Sequence, residues 1–347
     1  MADARVAEQM IADDWALWNG DCVAVARGLP EASVHYTIYS PPFPGLFTFS
    51  DDLRDMSNCL SFDEFWDHYN FLIDECFRIT RPGRLVSVHC MQLPTSKTRD
   101  GFIGLRDFRG DIIAAHQRAG FIYHSEVCIR KDPVQAMQRT KHIGLLHKQL
   151  CKDSALSRMA VADYIVTFRK PGDNAAPVAG AFDAYYGNET TPCGPLVQES
   201  RMRGREVLWP TDGERYSIAV WQRYAEPVWM DIAPSDVLSR DDAREEKDER
   251  HISPLQLTAI RRCIDLWSNE KDVVFSPFAG IGSELVVAVQ LGRRAIGSEL
   301  KPSYYRQAVS NLQKLEIEEA PPLGPMLFDI AALDAANTPP SGRDEGE

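Results

Sequence analysis

An α/β protein built on a doubly wound sheet is predicted by two features of the chain. Short β-branched and aromatic runs at 34–39, 84–90, 121–130, 162–170, 272–276 and 294–300 alternate with stretches of helical spacing. Tight proline- or glycine-rich turns, Ser40-Pro41-Pro42-Phe43 and Pro277-Phe-Ala-Gly-Ile-Gly282, follow two of those runs directly. In doubly wound sheets that carboxyl edge is where ligands bind.

Each element has its own local reason. Trp15-Ala-Leu-Trp-Asn19 reads as an apolar strand running into a Gly20-Asp21 turn, with a short helix, VAVARGL, after it. The strand at 34–39 is stopped by Ser40-Pro41-Pro42, since proline neither donates to a ladder nor lets its predecessor turn helical. Residues 44–60 lack periodicity and read as a loop beside a site. Ser61 with Glu64 three residues on has the pattern of a capping box, and apolar residues at 62, 65, 69, 72, 73, 76 and 77 keep helical spacing up to Pro82-Gly83. A strand at 84–90, a helix at 109–120 ending on Gly120, and strands at 121–130 and 162–170 follow.

From 171 the pattern breaks into a loop-rich stretch with scattered tryptophans, and the charged run 241–250 reads as a solvated linker. Ser253-Pro254-Leu-Gln256 marks a new helix start running to about Ser268. A strand at 272–276, a helix at 283–292, a strand at 294–300 and a helix at 302–315 complete the order, and a Pro-rich polar tail from about 320 is expected to be disordered. The expected division is 14–170 and 246–318 for two halves of one domain, 171–245 for an insert and linker, and 319–347 for the tail.

Composition narrows the class. The 347 residues are enough for a full core, and eight cysteines without a Cys-x-x-Cys pair suggest reduced thiols rather than a disulfide framework or zinc ribbon. No metal site is expected. The N-terminus carries acids where a signal peptide needs a basic segment and an apolar run, so a soluble, cytoplasmic protein is expected. A net charge of −12 argues against a nucleic-acid partner, yet residues 81–170 hold 16 Lys and Arg against 7 Asp and Glu. That asymmetry fits either a basic face or an ordinary mixed surface.

Two turns carry candidate chemistry. FSPFAGIGSE (275–284) puts glycines at a strand-to-helix turn, where backbone amides can meet a nucleotide-like ligand. Glycines for packing alone explain the same pattern, and without Gly-Lys-Ser/Thr it is no phosphate loop. Glu299, 17 residues past Gly282 at the end of the next strand, is placed to accept hydrogen bonds from ribose hydroxyls. In Ser40-Pro41-Pro42-Phe43 the prolines fix the backbone, so the Ser40 hydroxyl and Pro41 carbonyl are held as acceptors beside an aromatic face. A conjugated amine is a poor nucleophile, and acceptors on its two hydrogens help it pyramidalise. A proline-stopped strand is the competing explanation.

Taken together, SPPF after a strand, FSPFAGIGS, and IGSELKPSYYRQA after it resemble the amino-group DNA methyltransferases, in the permuted arrangement where the catalytic motif precedes the cofactor motif. The resemblance covers roughly 14–170 and 245–315. It implies a Rossmann-like fold with a permuted seven-stranded sheet and S-adenosylmethionine as cofactor. Phe278, Gly280 and Gly282 match the cofactor loop, Glu299 the ribose acid, and Asp21 the acid near the adenine. His251 to Ser253 fall where the family holds the methionine carboxylate, and Ser40, Pro41, Pro42 and Phe43 match the catalytic tetrapeptide.

Two residues depart from the family pattern. Ser276 stands where aspartate is usual, and the tetrapeptide opens on serine rather than Asp or Asn, which looks more like methylation at N4 of cytosine than at N6 of adenine. The implied partner is double-stranded DNA with its target base flipped out. Phe43 is the expected stacking platform, with Phe47 and Phe49 as further candidates or core. Arg130, Lys131, Arg139, Lys141, Lys148 and Lys152 are the expected phosphate contacts.

The resemblance also implies sequence recognition in 171–245, where Trp209, Trp221, Trp229, Arg201, Arg203, Arg205 and Arg223 either read bases or build a small core. A bacterial or phage restriction-modification setting is expected, with or without a partner nuclease. The rivals are less consistent with the motifs. A dinucleotide oxidoreductase lacks its third glycine, and a C5-cytosine enzyme would need a nucleophile such as Cys193, which sits in the irregular stretch. An inactive nucleic-acid-binding module or an RNA methyltransferase are the remaining alternatives.

Overall fold

The computed structural model describes residues 6–44, 52–59, 61–134, 147–156, 159–179, 223–238 and 255–319. Nine strands form one sheet: β1 (Glu8–Ile11), β2 (Trp15–Asn19), β3 (Val34–Tyr39), β4 (Thr80–Met91), β5 (Ile122–Ile129), β6 (Asp163–Arg169), β7 (Val228–Trp229), β8 (Val273–Ser276) and β9 (Arg294–Glu299). Their spatial order is β1-β2-β9-β8-β3-β4-β6-β5-β7. The five strands β2, β9, β8, β3 and β4 run parallel, and β6 pairs antiparallel with both β4 and β5. The family's seven strands are therefore present, and β1 and β7 extend the two edges.

Helices cover both faces, which is why the central strands are apolar almost throughout. On one side α1 (Cys22–Gly28), α2 (Phe62–Ile79) and α3 (Phe108–Arg118) pack on Val86, Val88, Cys90, Phe168 and Phe275. On the other, α5 (Leu257–Trp267), α6 (Ser283–Gln290) and α7 (Pro302–Glu319) pack on Leu17, Tyr36, Ile38, Val274 and Ala295. A short α4 (His147–Asp153) lies in the basic segment. No described helix is long and apolar enough to cross a membrane.

Helix α2 starts as its sequence signals, with the Ser61 hydroxyl accepting from the Glu64 amide at 3.1 Å. It ends three residues earlier than Pro82-Gly83. The Thr80 hydroxyl donates to the Cys76 carbonyl, and Pro82-Gly83 falls in a bulge inside β4, where Gly83 takes φ 74°. Helix α5 likewise begins at Leu257, later than the Ser253 start, with the side chain of Asp236 as its cap: that carboxylate accepts from the Thr258 amide at 2.7 Å and hydroxyl at 2.5 Å. A cap 22 residues away in the chain leaves no local signature. Ser253, Pro254 and the 320–347 tail lie outside the described residues.

The described end of the 171–245 stretch is part of the main body. Val228 and Trp229 pair with Cys128 and Ile129, and Trp229 is buried in the principal core beneath Arg262. Trp229 is thus a core residue rather than a base reader. Arg223 is pinned to Asp231 at 2.7 Å. Trp209, Trp221, Arg201, Arg203 and Arg205 fall outside the described residues.

Candidate active site

The parallel strands all end at one edge of the sheet, so the residues just past β2, β3, β8 and β9 converge there. They line one cleft, formed by Gly20, Asp21, Ser40 to Phe43, Pro277 to Ile281, Ser283, Glu284 and Glu299 to Lys301, with Tyr304 and the 54–56 segment closing it. The late cofactor-type loop and the early tetrapeptide, more than 230 residues apart in the chain, face the same space because β8 pairs directly with β3.

The loop after β8 is held open by its own backbone. Gly280 and Gly282 take φ 55° and 90°, conformations that L side chains rarely adopt. A Cβ at Gly282 would sit 3.1 Å from that of Ala308, whereas at Gly280 it would meet open cleft. The Glu299 carboxylate accepts from the Gly280 amide and from the Lys301 amide, each at 2.8 Å. Asn19 clamps the end of the same strand by donating to the carbonyls of Glu299 and Leu300. Asp21 caps α1, accepting from the Ala24 amide at 2.9 Å. The Phe278 ring, which lines the cleft, lies 5.7 Å from that of buried Tyr39.

This side of the cleft is short of partners. The hydroxyls of Ser276 and Ser283 are buried without a hydrogen bond among the described residues. Glu284, 4% exposed, lines the same wall. Burial pushes its carboxyl up to about 8, assisted by the charge of Glu299. Burial also raises Glu299 to about 7, against the pull of its two backbone amides. Loop amides, carboxyl oxygens and open space side by side suit a nucleoside-type ligand. The residues therefore fit S-adenosylmethionine.

The other wall holds the tetrapeptide. Ser40 Oγ lies 3.0 Å from His89 Nδ1, and His89 Nε2 lies 3.0 Å from Asp163 Oδ2. Phe43 is half-buried, edge-on to Phe108 at 6.1 Å and 6.3 Å from the His89 ring. The sequence reading missed His89 and Asp163. They belong to neighbouring antiparallel strands, β4 and β6, whose register brings the end of one beside the start of the other. Only a pairing inferred across 74 residues would have revealed them.

Of the expected phosphate contacts, Arg130 and Lys152 are exposed. Lys131 is not a free surface cation: its ammonium lies 2.5 Å from Asp163 Oδ2, so it faces the site. Arg139, Lys141, His251, Ser253, Phe47 and Phe49 lie outside the described residues, as does the side chain of Lys148.

A doubly wound sheet with both motif loops on the carboxyl edge of its parallel strands is the architecture of the Rossmann-like methyltransferases. The chain belongs to the N6/N4 DNA methylase family, whose pattern it matches over residues 34–310. It is 22% identical over 289 residues to the type II methyltransferase M.BamHI of Bacillus amyloliquefaciens, covering 82% of this chain and 54% of that protein. It is 40% identical over 67 residues to the type II methyltransferase M1.MboII of Moraxella bovis, covering 19% of this chain and 26% of that one. The chain thus spans about half the length of the first of these relatives.

Its fold is shared with a Thermus thermophilus protein provisionally described as a DNA modification methylase and solved with S-adenosyl-L-methionine. The TM-score is 0.56 at 23% identity, over 85% of this chain and 91% of that one. The cytosine-N4-specific PvuII DNA methyltransferase shares it at a TM-score of 0.51 and 13% identity, over 86% of each chain.

Proposed function

We propose that this chain transfers a methyl group from S-adenosylmethionine to the exocyclic amino nitrogen of a base flipped out of double-stranded DNA, and that the base is cytosine, methylated at N4. One observation carries the reading: Ser40 to Phe43 and the Gly280–Glu299 wall line a single cleft, so an amine held by the tetrapeptide lies beside the cofactor wall. The serine at the head of the tetrapeptide supports cytosine over adenine.

Bound there, S-adenosylmethionine supplies an electrophilic methyl group on a cationic sulfur. The protein's own work is to ready the nucleophile. An exocyclic amine shares its lone pair with the ring and reacts only when that lone pair is drawn out of conjugation. The Ser40 hydroxyl oxygen and the Pro41 carbonyl, fixed by two prolines, accept its two hydrogens and favour the tetrahedral nitrogen of the transition state. Phe43 stacks on the extruded base, offsetting an unstacking cost of about a few kcal/mol. Arg130 and Lys152, exposed in the basic 81–170 stretch, contact phosphates.

The test is incubation of the protein with labelled S-adenosylmethionine and mixed-sequence duplex DNA, then mass spectrometry of the digested nucleosides. N4-methylcytosine is the expected product. N6-methyladenine would keep the mechanism and reverse the base; label in RNA alone would overturn the DNA assignment.

A further inference from the structure

We propose that His89, held by Asp163 and Lys131, presents the Ser40 oxygen as a hydrogen-bond acceptor and takes up, through that hydroxyl, the proton shed by the substrate amine. The proposal rests on the reading of Ser40 as an amine acceptor and extends it to residues outside the tetrapeptide.

A serine hydroxyl can donate as well as accept, and only the second serves an amine. Which it does is set behind it. Asp163 is 7% exposed, and burial alone would raise its carboxyl. Its hydrogen bonds to His89 and Lys131, with the adjacent ammonium, outweigh that and hold it below the usual carboxylate range. Asp163 is therefore an anion that accepts only, and the proton of a neutral His89 ring sits on Nε2, 3.0 Å from Asp163 Oδ2. Nδ1 is left as the acceptor, so the 3.0 Å contact to Ser40 Oγ is the hydroxyl donating to the ring. The serine lone pairs then face the cleft, where the amine presents its hydrogens.

Register builds the arrangement. Tyr39, just before Ser40, pairs with Val88, just before His89. Asp163 opens β6 opposite Met91 and Ile129, which places Lys131 against it from the end of β5. Three strands and a two-residue extension thus converge on one ring.

The same contacts give the departing proton a route. As nitrogen bonds to the methyl carbon and the carbon–sulfur bond breaks, leaving a neutral thioether, the nitrogen becomes cationic. Its proton passes to Ser40 Oγ as the serine proton passes to His89 Nδ1, and the imidazolium so formed lies beside the Asp163 carboxylate. No further reactant is needed.

Two measurements test this. In ¹⁵N-histidine-labelled full-length protein without DNA, the His89 signals should show Nε2 protonated and Nδ1 bare; the opposite tautomer overturns the proposal. On DNA that the wild type methylates, His89→Gln should lower kcat on the order of 100-fold, the usual scale for a lost proton acceptor. The DNA KM and the cofactor Kd should stay within about twofold, and free imidazole should restore rate to His89→Gly. Unchanged kcat in His89→Gln, or a collapse of cofactor binding together with kcat, overturns it. A wild type that methylates no DNA sinks the substrate reading instead and leaves the tautomer to decide this one.

Discussion

The backbone amide of Gly280 donates to Glu299 Oε2 at 2.8 Å, joining the loop after β8 to the end of β9 across the mouth of the cleft. One carboxylate thereby fixes the loop and lines the cleft in which we propose that the ribose lies. A hydrogen bond from a ribose hydroxyl to an ionised carboxylate contributes about 1.5–3 kcal/mol. Glu299→Ala should therefore raise the Kd for S-adenosylmethionine roughly tenfold to a hundredfold in a calorimetric titration. Unchanged affinity would remove Glu299 from the cofactor site.

Gly282 combines a φ of 90° with a Cβ direction aimed 3.1 Å from the Ala308 methyl. Gly282→Ala must strain the turn or push α7 outward, at a cost of about 1–3 kcal/mol. Urea unfolding should show a lower midpoint, with cofactor affinity falling as well, since the loop and helix α6 shift together. Wild-type values for both would mean that the turn relaxes without effect.

Between pH 6.5 and 8.5 the two cleft carboxyls lower stability as the pH rises. Glu284 at about 8 and Glu299 at about 7 keep protons in the folded state that the unfolded chain releases near pH 4–5. Their contribution is complete at low pH and is lost as pH rises through those values. Buried Cys22, Cys76, Cys90 and Cys263, whose thiols burial pushes up, add to the loss at the alkaline end, and below pH 6.5 buried His116, lowered to about 4, acts in the opposite sense. The ligand-free protein should melt a few degrees lower at pH 8.5 than at 6.5. Glu284→Gln should shrink that difference, and an identical drop in the variant would contradict the assignment.

Asp236 caps α5 from another part of the chain through the Thr258 amide and hydroxyl. Its removal in Asp236→Ala should cost about 0.5–2 kcal/mol, as helix caps do. The urea midpoint should fall with an unchanged slope. A stability equal to wild type would show that the helix start needs no cap there.

What the sequence disclosed and what it hid follow from the range of the interactions. The strands at 34–39 and 272–276, the cap of α2 and the two motif loops are written in neighbouring residues, through β-branched runs, Ser61 before Glu64, and proline and glycine turns. The family resemblance then placed Ser40 and Glu299 at one ligand site, and the cleft contains both. Features made by distant pairing were not legible. Strand β7 exists because Cys128 and Ile129 offer an edge, and Pro82-Gly83 sits in a strand because β3 and β6 hold it there. Lys131 reads as one more cation in a basic segment and becomes part of the site only once β5 and β6 are in register.

The central claim is that Ser40 activates an exocyclic amine. Its most direct measurement compares wild type and Ser40→Ala for methylated nucleoside formed on duplex DNA, with the cofactor Kd determined in parallel. The account predicts N4-methylcytosine from the wild type, a rate at least 100-fold lower from the variant, and a Kd unchanged within about twofold. A variant that methylates DNA at the wild-type rate would contradict it.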